Sequence, residues 1–437
     1  MAAARLYQRK WVLIKLPIAL LALATMAWLW LEWLPMPPSQ LRVSAGRADG
    51  VYYAYAQQYA QKFAEHGVTL EVLESDGALQ NLQRLHGEQA ELAFMQGGVG
   101  YLGSAGNIRG SGRVQTLANI DIEPLWIFSR LRDIESLQQL QGLKVSLGPA
   151  GSGTRLLALK LLEQVRLGPK DLTVTDTAGM AAVQALQQGT LDAAVMVLAP
   201  ESAVINALLI APGLQLVQLR RTAALTERLP YLEPHLLAQG TLDPTGRHPP
   251  QDATLLTVVA SLVARDDLHP ALKRLATQIA SEIHARSGLF YRPGEFPSLK
   301  RLDFPASAEA RHTLVHGLPW LEAHLPFWWA QVTTRLLVIC LPVLLLALWL
   351  AHLIPAYLRW LVESRVTRWY GELKYIELDL SRDSLSGLDL TKYLGRLNSI
   401  ERRMAAFVTP AYLMPRWFML RQHIDFVRLR LYRRRGR

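Results

Sequence analysis

The residues best suited to chemistry lie in "GPAGSGTR", Gly148 to Arg155, between the strand-like "LKVS" and the helical "LLALKLL". A glycine-rich turn of this kind aims backbone N–H groups and the positive end of a helix at an anion. Ser152 and Thr154 add hydroxyls, Gly153 lets a ligand approach the backbone, and Arg155 supplies a cation. Nucleotide chemistry is excluded by the same residues. Gly148 and Gly153 have the phosphate-loop spacing, but Thr154 and Arg155 stand where that loop needs Lys and then Ser or Thr. The dinucleotide fingerprint fails because Leu156 occupies the third glycine position, and a nucleophile elbow would need Gly at 150 and 154. What remains is anion binding, with an ordinary helix start capped by Ser152 as the alternative.

A second turn has the same character. In "SAGRADGVYYAY" Ser44, Gly46 and Arg47 precede Tyr52 and Tyr53, which bring ring faces and hydroxyls. Adjacent helix positions cannot face the same way, so at least one of these tyrosines is expected to be buried. "ESDGA" ends a strand and caps a helix through Ser75 or Asp76, and Gln96 in "FMQGG" puts an amide at a strand end. Strand ends are where α/β clefts hold ligands. The eleven histidines show no metal-ligand grammar, since His312 and His316 lack the Glu and third ligand of a zinc protease. No carboxylate pair or nucleophile–base set is assigned by spacing, so the reading is a non-enzymatic one with no metal and no cofactor.

These residues must be positioned by alternating strands and helices. The order "LRVSAG", "VYYAYAQQYAQKFAEHG", "VTLEVLES", "ALQNLQRLHG", "AELAFMQ" returns about a hundred residues later as "LKVSLG", "GTRLLALKLLEQVRLG", "LTVTDT", "AGMAAVQALQQG", "LDAAVMV". Two related α/β lobes follow, each a mostly parallel sheet covered by helices, with a cleft between them. Segment 113–130 reads as the connection to lobe two, which is expected over about 130–212, and the chain from about Pro212 is expected to complete lobe one. "ATLLTVVASLVARDD" reads as a strand running into a helix, and "FYRPGEFPSLKRLDFP" as an irregular cover.

The formal charge of +11 is distributed unevenly. Residues 1–15 carry four basic and no acidic side chains, and 359–437 carry 17 basic and 8 acidic ones. The intervening chain holds 26 basic and 28 acidic residues, which argues against a nucleic-acid partner for the large domain. Each basic end abuts an apolar run: 16–34, rimmed by Trp28, Trp30 and Trp33, and 335–358, flanked by Trp328, Trp329 and Trp360. Both are long enough to span a bilayer as a helix, and the positive-inside rule puts both termini in the cytoplasm and residues 36–330 outside. A cleaved signal peptide is the rival reading of the first run, although no small-x-small site follows it. The single cysteine, Cys340, rules out an intrachain disulfide.

The ordered motifs "SAGRADGVYYAYA", "ESDGALQNLQRL", "AELAFMQGGV", "KVSLGPAGSGTR" and "LPYLEPHLL" resemble the TAXI-type solute-binding proteins of TRAP transporters. "HLPFWWAQVTTRLL" and "RWYGELKYIE" resemble the long, membrane-tethered members of that family. The resemblance implies a type II periplasmic-binding-protein-like domain on the bacterial inner membrane, handing a small organic anion, a dicarboxylate or amino acid, to a TRAP-type permease. By motif match it implies Gly46, Tyr52, Gln96, Ser152, Gly153 and Thr154 as pocket residues.

After the second apolar run, three stripes spaced 3-4-3-4 begin at Val366, Leu390 and Leu413. They predict three amphipathic helices packing as a small cytoplasmic bundle or coiled coil over 359–437, with the terminal arginines free to touch anionic lipid. A ligand sensor that signals through the second span to this tail is the competing function.

Overall fold

The computed structural model describes residues 2–103, 113–242, 248–381, 387–407, 409 and 411–435. The chain divides into two compact units, Met36–Thr334 and a second formed by Met1–Pro35 with Arg335–Arg437. It opens with α1 (Ala2–Trp28), which ends in a π-helical turn, Leu29–Trp33, and belongs to the second unit.

The unit Met36–Thr334 holds two lobes. Lobe one starts with β1 (Gln40–Ser44), α2 (Val51–Glu65), β2 (Thr69–Leu73), α3 (Ala78–His86), β3 (Leu92–Gln96) and α4 (Val99–Gly103). The long strand β4 (Val114–Ser129) leads into lobe two: β5 (Lys144–Ser146), α5 (Gly153–Gln164), β6 (Thr173–Thr175), α6 (Gly179–Gln187), β7 (Ala193–Val197) and α7 (Ala203–Ile210). Lobe two continues with β8 (Gln215–Leu216), α8 (Thr222–Arg228) and β9 (Glu233–Leu237). Strand β10 (Ala253–Arg265) returns to lobe one, followed by α9 (Pro270–His284), α10 (Ala308–His316), α11 (Trp320–His324) and α12 (Phe327–Arg335).

One sheet carries both lobes in the order β2-β1-β3-β10-β4-β7-β5-β6, with β8 on β4 and β9 on β10. The repeat seen in the sequence is therefore a repeat of topology. In each lobe the first strand lies between the second and third, all parallel, and a crossing strand pairs antiparallel with the third. Strands β4 and β10 pair with each other from Leu256 opposite Leu125 to Arg265 opposite Val114. They are the two connections that run through both lobes.

The apolar pattern explains the layers. Strand β3 is buried along its whole length, as a parallel strand covered on both faces should be. On α2 the buried Ala56, Tyr59 and Phe63 share a face that packs under the sheet with Leu272, Leu275, Ala276 and Ile279 of α9. In lobe two Leu157, Leu161 and Leu162 of α5 join Val145, Val195 and Val197.

Two expectations need correction. Lobe two does not end at about 212. Strand β8 pairs with Phe128 and Ser129, β9 pairs with the first half of β10, and Leu225, Leu229, Leu232 and Leu237 enter lobe-two cores. The return to lobe one is β10 itself. "ATLLTVVASLVARDD" stays extended to Arg265 instead of turning into a helix, because its residues pair with β3 and β4 to the end.

The second unit contains α1, the π-helical turn Leu336–Cys340, α13 (Leu341–Ser381), α14 (Gly387–Ala405) and α15 (Met414–Arg435). Segments Lys15–Trp33 and Phe327–Leu380 contain helices long and apolar enough to cross a membrane. The buried guanidinium of Arg335 donates to the carbonyls of Leu34 and Pro35, which follow the first apolar helix. Further along, Val366, Trp369, Leu373, Ile376 and Leu380 of α13 pack with Leu397, Ile400 and Met404 of α14 and Leu420, Ile424, Val427 and Leu431 of α15. These are the stripes read from the sequence, and they form one apolar core. Pro410, which precedes the third stripe, lies outside the described residues.

Candidate functional site

A cleft of about 180 Å³ lies between the two lobes at the carboxyl ends of their parallel strands. Its walls include the starts of five helices: Gly50 to Tyr52 of α2, Gly77 and Ala78 of α3, Ser152 to Thr154 of α5, Ala178 and Gly179 of α6, and Ser202 and Val204 of α7. First-turn N–H groups have no intrahelical acceptor, and each helix start carries partial positive charge. Five such ends around one small space bring unpaired N–H groups and partial positive charge to its wall, beside the side chains of Arg47, Asp49, Asp76 and Glu123.

The α5 turn is made by local chemistry. Gly148 takes φ +81°, which an L side chain rarely adopts. The Ser152 hydroxyl donates to the Pro149 carbonyl (2.8 Å) and accepts from the Arg155 N–H (3.2 Å), capping the helix. The capping role and the exposure of the turn to the cleft thus coexist, because the cap consumes the third N–H and leaves those of Gly153 and Thr154 without an intrahelical acceptor.

Gln96 is the most informative side chain. It ends β3, is 6% exposed, and its Nε2 has no hydrogen-bond partner among the described residues. It faces α5 across the cleft so closely that a methyl group on Gly153 would lie 2.9 Å from Gln96 Oε1. A buried amide N–H₂ without an acceptor is costly, and a ligand acceptor removes that cost.

Acidic groups form the floor. Tyr52 donates to Glu123 Oε2 (2.7 Å), and its ring stacks on Phe94. One helical turn on, Tyr55 donates to Asp121 Oδ2 (2.9 Å). Glu123 and Asp121 sit on β4 where it crosses between lobes, and Glu123 lines the cleft. Burial pushes the Glu123 carboxyl up to about 8, against the opposing effect of the Tyr52 hydrogen bond, and Asp121 raises it further. Burial likewise raises Asp121. At neutral pH Glu123 is largely protonated, so it adds a hydrogen-bond donor instead of a negative charge.

The lobes touch around the cleft. A Cβ on Gly77 would be 3.0 Å from Ser152 Cα, one on Gly151 3.0 Å from Asp76 Cβ, and one on Gly179 3.3 Å from Asp49 Oδ2. Glycine at these places allows the jaws to close.

The structure brings together Gly46, Arg47, Tyr52, Gln96, Ser152, Gly153 and Thr154 on the cleft wall. The other four expected site residues support it from behind. Ser44 and Ser75 are buried and both donate to Asn81 Oδ1 (2.7 and 2.6 Å), while Asn81 Nδ2 donates to the carbonyls of Ala45 and Phe94. That network fixes the ends of β1 and β3. Tyr53 is half-buried and, like Tyr52, packs against the lobe-one core. Arg155 turns to Asp176 and the Gly148 carbonyl, bracing the turn from outside. Arg47 is on the wall but paired with Asp49 (3.0 Å), an ion pair that raises the guanidinium and lowers the carboxyl. The cleft wall also holds Asp76, the alternative cap in "ESDGA", and Glu123 and Thr177, which the sequence reading did not single out. The signal for Glu123 was two acids at alternating positions within the apolar run "NIDIEPLWIF", which on a strand put both carboxylates on one face.

Comparison with known proteins places this geometry in context. Solved structures similar to the chain include a protein from Bordetella bronchiseptica RB50 (17% identity, 55% of this chain and 71% of that one, TM-score 0.38). They also include the periplasmic aliphatic sulphonate-binding protein SsuA from Escherichia coli (17%, 56% and 69%, 0.32) and PhnD1 from Prochlorococcus marinus in complex with methylphosphonate (12%, 56% and 84%, 0.35). At the level of sequence, residues 43–281 match the NMT1-like family, and this span includes every cleft residue named above. With more than half of its length matched, the chain belongs to the NMT1-like family.

Proposed function

We propose that the chain is a membrane-anchored, extracytoplasmic solute-binding protein whose lobes close on one small organic anion. The observation that carries this is that five helix starts line one cleft together with Gln96, whose buried amide nitrogen has no hydrogen-bond partner among the described residues. In this reading a carboxylate or related oxyanion accepts from Gln96 Nε2 and from the N–H groups of Gly153 and Thr154. Tyr52 and protonated Glu123 form the opposite wall, and Val195, Met196 and Val197 of β7 contact the ligand's apolar part. Each helix end favours the anion by about 0.3–1 kcal/mol. Ligand bridging the jaws stabilises their closed arrangement, which a permease can recognise. The TAXI-like motifs support a TRAP-type permease as the recipient, and the two apolar helices with basic flanks support anchoring.

A thermal-shift screen of the full chain in detergent, across small carboxylates, sulfonates and phosphonates, tests the reading. At least one is expected to raise the melting temperature in proportion to the logarithm of its concentration. Amines run beside that panel complete the test, and stabilisation by amines with none by any anion would refute it.

One observation favours the sensor as a second reading: the apolar run and the first stripe of the C-terminal bundle share a single 41-residue helix, α13. Deleting residues 365–437 separates the two. Retained uptake with a lost cellular response indicates sensing, and lost uptake indicates a transport role for the tail.

A further inference from the structure

The C-terminal helix α15 has two apolar faces, and the bundle uses one. Leu420, Ile424, Val427 and Leu431 are buried in the bundle core. At 100° per residue, Phe418, Met419, Phe426, Leu429 and Tyr432 fall on the opposite side, and each is more than half exposed. This outer stripe is about 21 Å long at 1.5 Å per residue. Five large apolar side chains in a row on a water-facing helix mark an interaction surface.

Three occupants are conceivable, and the geometry separates them. Helix α15 runs parallel to α13 and in step with it. Arg416 meets Glu363 (3.9 Å) and its carbonyl accepts from the Tyr370 hydroxyl, whereas fourteen residues on Arg430 meets Glu377 (3.6 Å). With α13 crossing the bilayer, the stripe points away from the membrane, and only its Phe418 end comes near lipid. A second copy is disfavoured by charge. Residues 359–437 carry a net +9, and α15 alone carries seven arginines against Asp425. Exposed Arg421 borders the stripe, exposed Arg433 closes its C-terminal end, and the Arg430 guanidinium lies 4.7 Å over the Phe426 ring.

We propose that this stripe docks an acidic amphipathic helix of a partner protein. The partner lays its apolar face along Phe418, Phe426 and Leu429 and its carboxylates beside Arg421 and Arg433. The surface is separate from the ligand cleft, and the inference does not depend on what the cleft binds.

The test uses the full chain in phosphatidylcholine nanodiscs and a labelled 21-residue peptide of leucine and glutamate in heptad order, with a leucine–lysine twin. The acidic peptide is expected to bind at least ten-fold more tightly than the twin. Phe418→Ser/Leu429→Ser should weaken it at least ten-fold while helicity and melting temperature are kept. Arg421→Glu/Arg433→Glu, which leaves the stripe intact, should reverse the preference toward the lysine twin. Equal binding of the two peptides, or no loss in either double variant, overturns the proposal. So does dimerisation by mass photometry, or attachment to phosphatidylglycerol vesicles, that Phe418→Ser/Leu429→Ser abolishes. These last two results would assign the stripe to a second copy or to lipid.

Discussion

A single methyl group at Gly153 should uncouple ligand binding from folding. In Gly153→Ala the new Cβ would lie 2.9 Å from Gln96 Oε1, 3.0 Å from its Cδ and 3.2 Å from its Cβ. Carbon atoms rest about 3.5–4.0 Å apart, so the Cβ–Cβ pair alone demands a shift of about 0.3–0.8 Å. Gln96 Cβ is fixed by β3, which pairs with β10 on one side. The shift therefore turns the amide away or parts the lobes, and both remove Nε2 from the ligand. A hydrogen bond to a charged group is worth about 1.5–3 kcal/mol, which corresponds to roughly a 10- to 150-fold loss of affinity. Folding should lose no more than the roughly 1–3 kcal/mol of an overpacked contact, and the chain should stay folded. Isothermal calorimetry with the best anion from the screen measures the first effect and thermal unfolding the second. Gly168→Ala, whose Cβ would make an ordinary 3.7 Å contact, is the control. An affinity within two-fold of wild type in Gly153→Ala would refute the argument that the two jaws meet on the ligand at this point.

Three further outcomes follow from the same contacts. Glu123 holds its proton in the folded chain up to about pH 8, whereas its ordinary value is 4.5. The stability it permits is complete below pH 4.5 and is lost as pH rises through about 8, at about 1.4 kcal/mol per unit between them. Glu123→Gln should flatten that part of the urea-unfolding profile, and an unchanged slope would contradict the assignment. For the same reason anion affinity should fall in wild type as pH passes 8 and stay level in Glu123→Gln, which calorimetry at pH 7 and 9 resolves. Leu420→Ala should cost the C-terminal bundle about 2–5 kcal/mol and leave ligand affinity untouched; weakened binding would show that the cleft depends on the tail.

The sequence carried the lobes and the bundle because both are written in local periodicity. The stripes from Val366, Leu390 and Leu413 have helical spacing, and the strand–helix order repeats from Leu41 and Leu143. Long-range pairing was less legible. Nothing near Pro212 signals that β8 will pair with Phe128 or that β9 will pair with β10. Cleft position was legible where backbone geometry decides it, at Gly46, Gly153 and Thr154, since turns are local. It was not legible where side chains choose among neighbours distant in sequence. Ser44 and Ser75 were drawn to Asn81, and Arg155 to Asp176. Glu123 was overlooked because its meaning comes from Tyr52, 71 residues away.

The central claim is that the cleft holds one small anion through Gln96 and the α5 turn. Its most direct test is a calorimetric titration of the full chain, wild type beside Gln96→Leu, with the strongest anion found. The account predicts one site per chain in wild type and at least a ten-fold weaker site in Gln96→Leu, at equal folding stability. Equal affinities in the two proteins would contradict it.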